Sequence, residues 1–314
     1  MERKNRSQGI NAALSSAILL GLLPIFGKQA LLSGFSPLAV VAVRTTLAVS
    51  LLAVFMLFQR PYLYIYPVGL IGCFLAGFIN GIGSIFYYVA LARLEASIGH
   101  LLYSFYPLFV AFWLLLDRQT ISLLTMFRLI LALPGAYLLL NSSSGALDWT
   151  GALFMLISAA FYALHLIINQ RILYEAPPPT VTFYTLLGMA ITVLSGYLLF
   201  DRQLPDGNPS WLPLIGMGTI TFLARLTLFM GVKKLGGLQT ALLGLGELIV
   251  TVVLARLWLG ETLNLYQWLG AFFIGASLFL VGFEKPATEK RHQTGWLAWL
   301  NPPRMPSTHL PWQK

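Results

Sequence analysis

The sequence predicts an all-α integral membrane protein, with ten transmembrane helices arranged as two inverted five-helix repeats. Three observations carry that expectation. Apolar runs of about twenty residues recur along nearly the whole chain, the length an α-helix needs to cross a ~30 Å hydrocarbon core. Composition agrees: 57% of residues are hydrophobic and 10% charged, against roughly 25% charged in a soluble domain. The chain also matches itself at an offset of about 141 residues. LEASIGHLLYSFYP, from Leu94 to Pro107, lies over LGGLQTALLGLGEL, from Leu235 to Leu248, and the stretch at Pro37 lies over that at Pro179. Five is odd, so a second half of five spans enters the membrane from the opposite side, with a site expected near the midplane between halves.

Taken in order, the spans fall at 10–33, 36–58, 65–91, 97–116, 120–140, 149–171, 180–200, 210–232, 238–258 and 264–283. Breakers separate them: Ser36-Pro37, Arg60-Pro61, Asp117-Arg118, Asn141 to Gly145, Pro177-Pro178-Pro179, Pro205 to Pro209, Gly236-Gly237 and Gly260-Glu261. The domains are then a tail at 1–8, repeats at 9–140 and 149–283, and a Pro-rich polar tail at 284–314 carrying Trp296, Trp299 and Trp312. That tail reads as disordered or interfacial. The basic start is not followed by a small-residue cleavage site, so the first span reads as retained. Placing the N-terminus in the cytoplasm puts Arg3, Lys4, Arg6, Arg60, Arg118, Arg171, Lys233 and Lys234 inside and leaves Arg93 and Arg202 outside. Both termini are then cytoplasmic and the inner (plasma) membrane is the expected location.

The net charge of +9 does not point to nucleic acid, because the basic residues stand singly in short gaps, with no stripe to track a backbone. They report topology. Cys73 is the single cysteine, which excludes an internal disulfide and a thiol metal cluster. Phosphate loop, paired Asp motif, His-Glu metal spacing and nucleophile elbow are all missing. The chain reads as no enzyme and as needing no metal or cofactor, its partners being a small-molecule substrate and the bilayer. A homodimer is compatible with the sequence but not required by it.

Charged and polar residues inside the spans are the candidates for function. Arg225 and Glu247 each lie eleven residues from Gly236, roughly 16 Å from that turn by helical rise, near mid-membrane. Glu247 is the carboxylate placed deep in a span; it could grip a substrate amine or change protonation, with Arg225 tuning it, or the two could form a fixed pair stapling two helices. Lys28 and Arg44 are each eight residues from Ser36, at one depth. They suit a substrate carboxylate or phosphate, or snorkelling to the headgroups. His165 suits a proton relay or a helix–helix hydrogen bond. Asn80, Ser84, Tyr87 and Tyr88, with Tyr103 and Tyr106, offer donors and aromatic walls for a pocket, or interhelical bonding beside the Gly77-to-Gly81 spacing. Arg128 and Arg256 read as snorkelling anchors and His100 as a polar cap.

The run LLGLLPIFGKQALLSGFSPLAVVAVRTTLA, then YYVALARLEAS from Tyr87, then GLGELIVTVVLARLWLGETLNLYQWLGAFFIGASLFLVG from Gly244 resemble the EamA-like ten-helix exporters of the drug/metabolite transporter superfamily, over residues 9–283. The resemblance implies a secondary transporter of small polar or amphipathic, amino-acid-like metabolites, exporting by alternating access. It implies that spans one to four and six to nine line the site, which sets Arg44 beside it, and that spans five and ten support it. The chain departs from the family pattern in keeping Pro107 but no Glu before it in the fourth span, and Glu247 but no Pro after it in the ninth. A flippase-like handler of lipid phosphate, or a non-transporting scaffold, stays open as the alternative.

Overall fold

The computed structural model describes residues 2–119, 121–140, 148–205, 209–260, 264–280 and 295–300. The expected breaks at Asn141 to Gly145 and at Glu261, and most of the tail including Trp312, lie outside those residues. Among the described residues the chain is helical: α1 (Glu2–Leu32), α2 (Pro37–Phe58), α3 (Pro67–Arg93), α4 (Ala96–Tyr103), α5 (Tyr106–Leu116), α6 (Leu123–Leu140), α7 (Trp149–Ile172), α8 (Pro178–Phe200), α9 (Leu212–Leu235), α10 (Gly237–Gly244), α11 (Gly246–Leu254) and α12 (Leu265–Phe279). Proline and caps set the starts. Ser36 Oγ accepts the Ala39 N–H at 3.1 Å ahead of Pro37, and Asp148 accepts from Thr150 and Gly151 to open α7. Backbone N–H bonds to Gly151 and Thr150 hold the Asp148 carboxyl below its usual range, Gly151 most strongly.

Eight stretches of the described residues are long and apolar enough to cross a membrane, with α4 and α5 together forming one and Gly237–Leu259 another. The fifth and tenth expected spans are represented by shorter apolar stretches, Leu123–Gly135 in α6 and Trp268–Ser277 in α12. These two helices pack on each other. Arg128, expected to snorkel, instead donates from Nε to the Ser277 carbonyl at 3.0 Å and from Nη1 to Gln239 at 3.0 Å, while Ser277 Oγ donates back to the Arg128 carbonyl.

The two broken spans are broken at the same point of the repeat. Ala96 and Tyr103, which bound α4, precede Gly237 and Gly244, which bound α10, by 141 residues, as Pro37 opening α2 precedes Pro178 opening α8. In the first half the break follows from Pro107, which has no N–H for the helical ladder; the chain bridges it with tighter bonds, Phe105 N–H to Leu102 and Leu108 N–H to Phe105. In the second half Leu245 and Leu248 make the same tight bonds around Gly244 and Gly246. Gly244 packs so closely on the Tyr106 hydroxyl that a Cβ there would collide with it.

The halves interleave. α1 packs along α9, α3 on α7 and α8, α2 on α8 and α9, and α5 on α7. Gly77 and Gly188 let α3 and α8 cross almost backbone to backbone, Gly77 facing the Thr185 carbonyl and Gly188 facing Phe74. One end of the bundle is basic: Lys234 donates to Gln8 at the start of α1, and Lys233 to the Ala176 carbonyl beyond α7 at 3.0 Å. Tyr66 at the start of α3 reaches the Ile172 carbonyl at the same end. The opposite end carries the Phe35–Trp211 ring contact and the exposed Arg93–Asp148 pair at 3.2 Å.

Candidate functional site

A cavity of about 40 Å³ lies between the halves, where side chains from α1, α2, α3, α4, α7, α9 and α11 converge. Its polar lining is Arg44, Asn80, Ser84, Tyr87, Tyr88, His100, Tyr103, Ser158, Tyr162, Arg225 and Glu247, with Leu20 and Leu23 as an apolar wall. That volume has room for about three ordered waters, so the helices are drawn in around the site.

Each charged side chain is placed by its own helix. Arg44 projects from α2 with its guanidinium over the Tyr88 ring, 5.2 Å from the centroid, and Nη1 at 3.5 Å from Thr221 Oγ1. Arg225, from α9, lies over the Tyr162 ring at 5.3 Å and meets His165 Nε2 at 3.1 Å. A guanidinium only donates, so Nε2 accepts. The ring hydrogen therefore sits on Nδ1, which donates to the Tyr162 carbonyl at 2.5 Å. His165 is thereby a neutral prop for Arg225.

Glu247 enters from the first turn of α11, where the helix dipole favours a negative charge. Thr251, one turn on, fixes that turn to α1 by donating to the Gly21 carbonyl at 2.8 Å. Tyr106 adjoins the carboxylate while donating to the Ala241 carbonyl at 2.9 Å. His100 Nε2 stands 3.9 Å from Glu247 Oε1, and its Nδ1 is 3.3 Å from the Tyr87 hydroxyl. With Tyr87 donating, Nε2 carries the hydrogen and faces the carboxylate. Rings of Tyr87, Tyr103, Tyr106 and Tyr162 stack edge to face or tilted, at 5.0 to 5.6 Å, into one wall.

Arg44, Arg225 and Glu247 are 4%, 6% and 1% exposed, and Arg44 Nε, Arg225 Nε, His100 Nε2 and Glu247 Oε1 are buried without a hydrogen-bond partner. Such atoms are expensive unless something polar fills the space they face. Among the described contacts Arg225 and Glu247 make no direct ion pair; each is held by other groups and both look into the cavity.

The structure thus brings Arg44, Asn80, Tyr87, Tyr103, Arg225 and Glu247 to one cavity, with Tyr106 and His165 immediately behind it. Lys28 is elsewhere. Its ammonium donates to the carbonyls of Leu91 at 3.0 Å and Leu94 at 2.7 Å, closing the last turn of α3 at the end opposite the basic one. Asn80 lines the cavity while its amide reaches Met189 Sδ at 3.1 Å. Sequence reasoning passed over Tyr162 and Ser158 and took His100 for a cap. The signal available for Tyr162 was its i, i+3 spacing to His165 in an otherwise apolar run. The described residues contain no group of three His, Cys, Asp or Glu side chains able to hold a metal ion.

Comparison with known proteins adds the family. A curated relative, the uncharacterized transporter YcbK of Bacillus subtilis (strain 168), is 26% identical over 272 residues, covering 80% of this chain and 86% of its own. An uncharacterized transporter of Archaeoglobus fulgidus is 28% identical over 196 residues, 62% of this chain and 70% of its own. A solved structure, described as the crystal structure of a protein, superposes with a TM-score of 0.68 at 17% identity, over 88% of this chain and 97% of that one. At that identity the likeness concerns the fold alone. The EamA-like transporter family matches twice, over residues 7–141 and 149–283, repeating the two-part register seen in the broken helices. With both halves matched, the chain belongs to the EamA-like transporter family of the drug/metabolite transporter superfamily.

Proposed function

We propose that the chain is a secondary transporter of small zwitterionic, amino-acid-like metabolites, with ten spans in two inverted halves that rock around the central cavity. One observation carries the substrate class: two guanidiniums and one carboxylate face a single buried cavity with Arg44 Nε, Arg225 Nε and Glu247 Oε1 unpartnered. A carboxylate suits the two arginines, an ammonium suits Glu247, and the tyrosine wall suits an apolar or aromatic remainder. With Glu247 ionised the three side chains sum to a single positive charge, which favours a substrate bearing a carboxylate over a bare amine.

The discontinuous helices at the site support alternating access, as in transporters that place such helices at the binding site. α5 and α11 both begin beside the cavity, and a contracted cavity suits an occluded stage of the cycle. Outward export and cytoplasmic termini rest on the family resemblance and on the basic end defined by Lys233 and Lys234. The lipid-phosphate alternative placed Lys28 beside Arg44; Lys28 is occupied with backbone carbonyls instead.

The test is a thermal-shift screen of the purified protein against amino acids, matched amines, matched carboxylates and phospholipids, followed by flux of the hits in proteoliposomes. Saturable stabilisation by zwitterions beyond either half-molecule is expected, weakened in Arg44→Ala. Glu247→Gln is expected to abolish transport or remove its pH dependence. Stabilisation by phospholipid alone overturns the substrate class, and unchanged pH-dependent flux in Glu247→Gln overturns its role in coupling.

A further inference from the structure

At the basic end, residues Gly295–Leu300 are inserted into the bundle. Leu297 and Leu300 are 1% and 0% exposed, whereas Trp296 and Trp299 are 45% and 54% exposed. The segment therefore turns its leucines inward and its indoles outward. The Leu297 N–H donates to Asp117 Oδ1 at 3.1 Å, Leu300 fits against Gly72 of α3 beside Ile172 of α7, and the Trp296 ring lies 6.2 Å from Trp113 of α5. Gly295 has φ +106, and a Cβ there would run into Asp117. Beneath the segment Asp117, just past α5, pairs with Arg171 of α7 and accepts from Gln119 Nε2 at 2.9 Å. The anchor points thus come from α3 and α5 of the first half and α7 of the second.

We propose that Gly295–Leu300 is an intramolecular latch that clamps the two halves together at the basic end, so that the cavity opens toward that side only after the segment leaves. The clamp is built into the gate itself. Leu297 and Leu300 belong to the buried cluster that also contains Tyr106, Tyr162 and Phe229, and Tyr162 lines the cavity while Tyr106 stands behind it. Separating α7 from α3 and α5 would break the Asp117–Arg171 pair and strip both faces from Leu300. The latch makes access from one side conditional on a piece of chain that any binding partner of the C-terminal tail, or a change at the membrane surface, could withdraw.

The sole cysteine is a native reporter. Cys73 is 0% exposed, follows Gly72 in α3 and shares the same buried cluster. The experiment follows N-ethylmaleimide modification of Cys73 by mass spectrometry in the full-length protein, well below the melting transition. The variants are Leu300→Asp, Gly295→Ala as a milder perturbation, and the exposed Trp299→Ala as control, with Tm recorded for each. Modification about tenfold or more faster in Leu300→Asp, a smaller acceleration in Gly295→Ala and none in Trp299→Ala are expected. Wild-type rates in both latch variants overturn the proposal. So does acceleration that begins only within the melting transition, since that would make the segment a general stabiliser. The latch rests on the alternating-access reading, but this readout needs no substrate. If Cys73 stays protected while zwitterions are transported, the latch alone fails; if Cys73 is released and nothing is transported, the transport reading fails.

Discussion

Breaking the Asp117–Arg171 pair is the perturbation whose size the structure fixes best. Both residues are fully buried, and Asp117 accepts from Arg171, from Gln119 Nε2 and from the Leu297 N–H. Asp117→Asn keeps an oxygen for Leu297 but takes the Asp117 charge away from the buried guanidinium, which costs about 3–5 kcal/mol. Arg171→Met strands the carboxylate and costs about the same. At about 2 °C per kcal/mol for a chain of this size, each variant should melt about 6–10 °C below wild type. The double variant removes both charges of the pair and supplies a Met side chain of comparable length, so it should recover to within about 2–4 °C. Thermal unfolding followed by tryptophan fluorescence at fixed detergent concentration measures all four proteins. Additive losses in the double variant would refute the reasoning, because they would mean that neither charge is stranded when the other is removed.

Two further outcomes follow from single contacts. Lys28→Met removes two charge-assisted bonds to the α3 carbonyls and should lower Tm by about 3–6 °C, from about 1.5–3 kcal/mol, while leaving ligand-induced thermal shifts unchanged; altered ligand affinity would return Lys28 to the site. Gly244→Ala should destabilise the break by about 1–3 kcal/mol by driving a methyl onto the Tyr106 hydroxyl. Tyr106→Phe in that background should restore part of the Tm, and a further loss there would show that the collision is not with the hydroxyl.

Much of the fold was legible because a membrane leaves the chain few choices. Runs of twenty apolar residues between prolines and glycines must be helices with all backbone groups paired internally, and the Leu94 and Leu235 stretches match each other in the sequence itself. The broken helices were less visible. The expected span at 97–116 runs unbroken although it holds Pro107, and at Gly244 to Gly246 a hydroxyl from 138 residues earlier in sequence occupies the space above a glycine. Depth was readable for the site and direction was not. Counting from Gly236 set Arg225 and Glu247 at one level, yet helical rise says nothing about azimuth, and Arg225 turns to Tyr162 and His165 while Glu247 turns to His100. The same limit hid Lys28, whose partners lie 63 and 66 residues away. Leu297 and Leu300 escaped notice because two leucines in a Pro-rich polar tail carry no period.

The ionisable groups inside the bundle divide by what completes them. Lys28 ends on two carbonyls, Arg128 on a carbonyl and an amide oxygen, and Arg171 on Asp117; each uses its charge to join two segments. Arg44, Arg225 and Glu247 are buried too, but they face the central cavity, supported by a threonine, tyrosine faces, a neutral histidine and a helix N-terminus. Neutral supports fix a charge in direction without cancelling it. Glu247 lies on the same cavity as both arginines without closing on either. Keeping opposite charges on one cavity but apart stabilises the empty protein less than joining them would, and the difference becomes available to a ligand that bridges them. In the proposed carrier that arrangement has a use, because a ligand bridging those charges would also draw α2, α9 and α11 together across the interface between the halves.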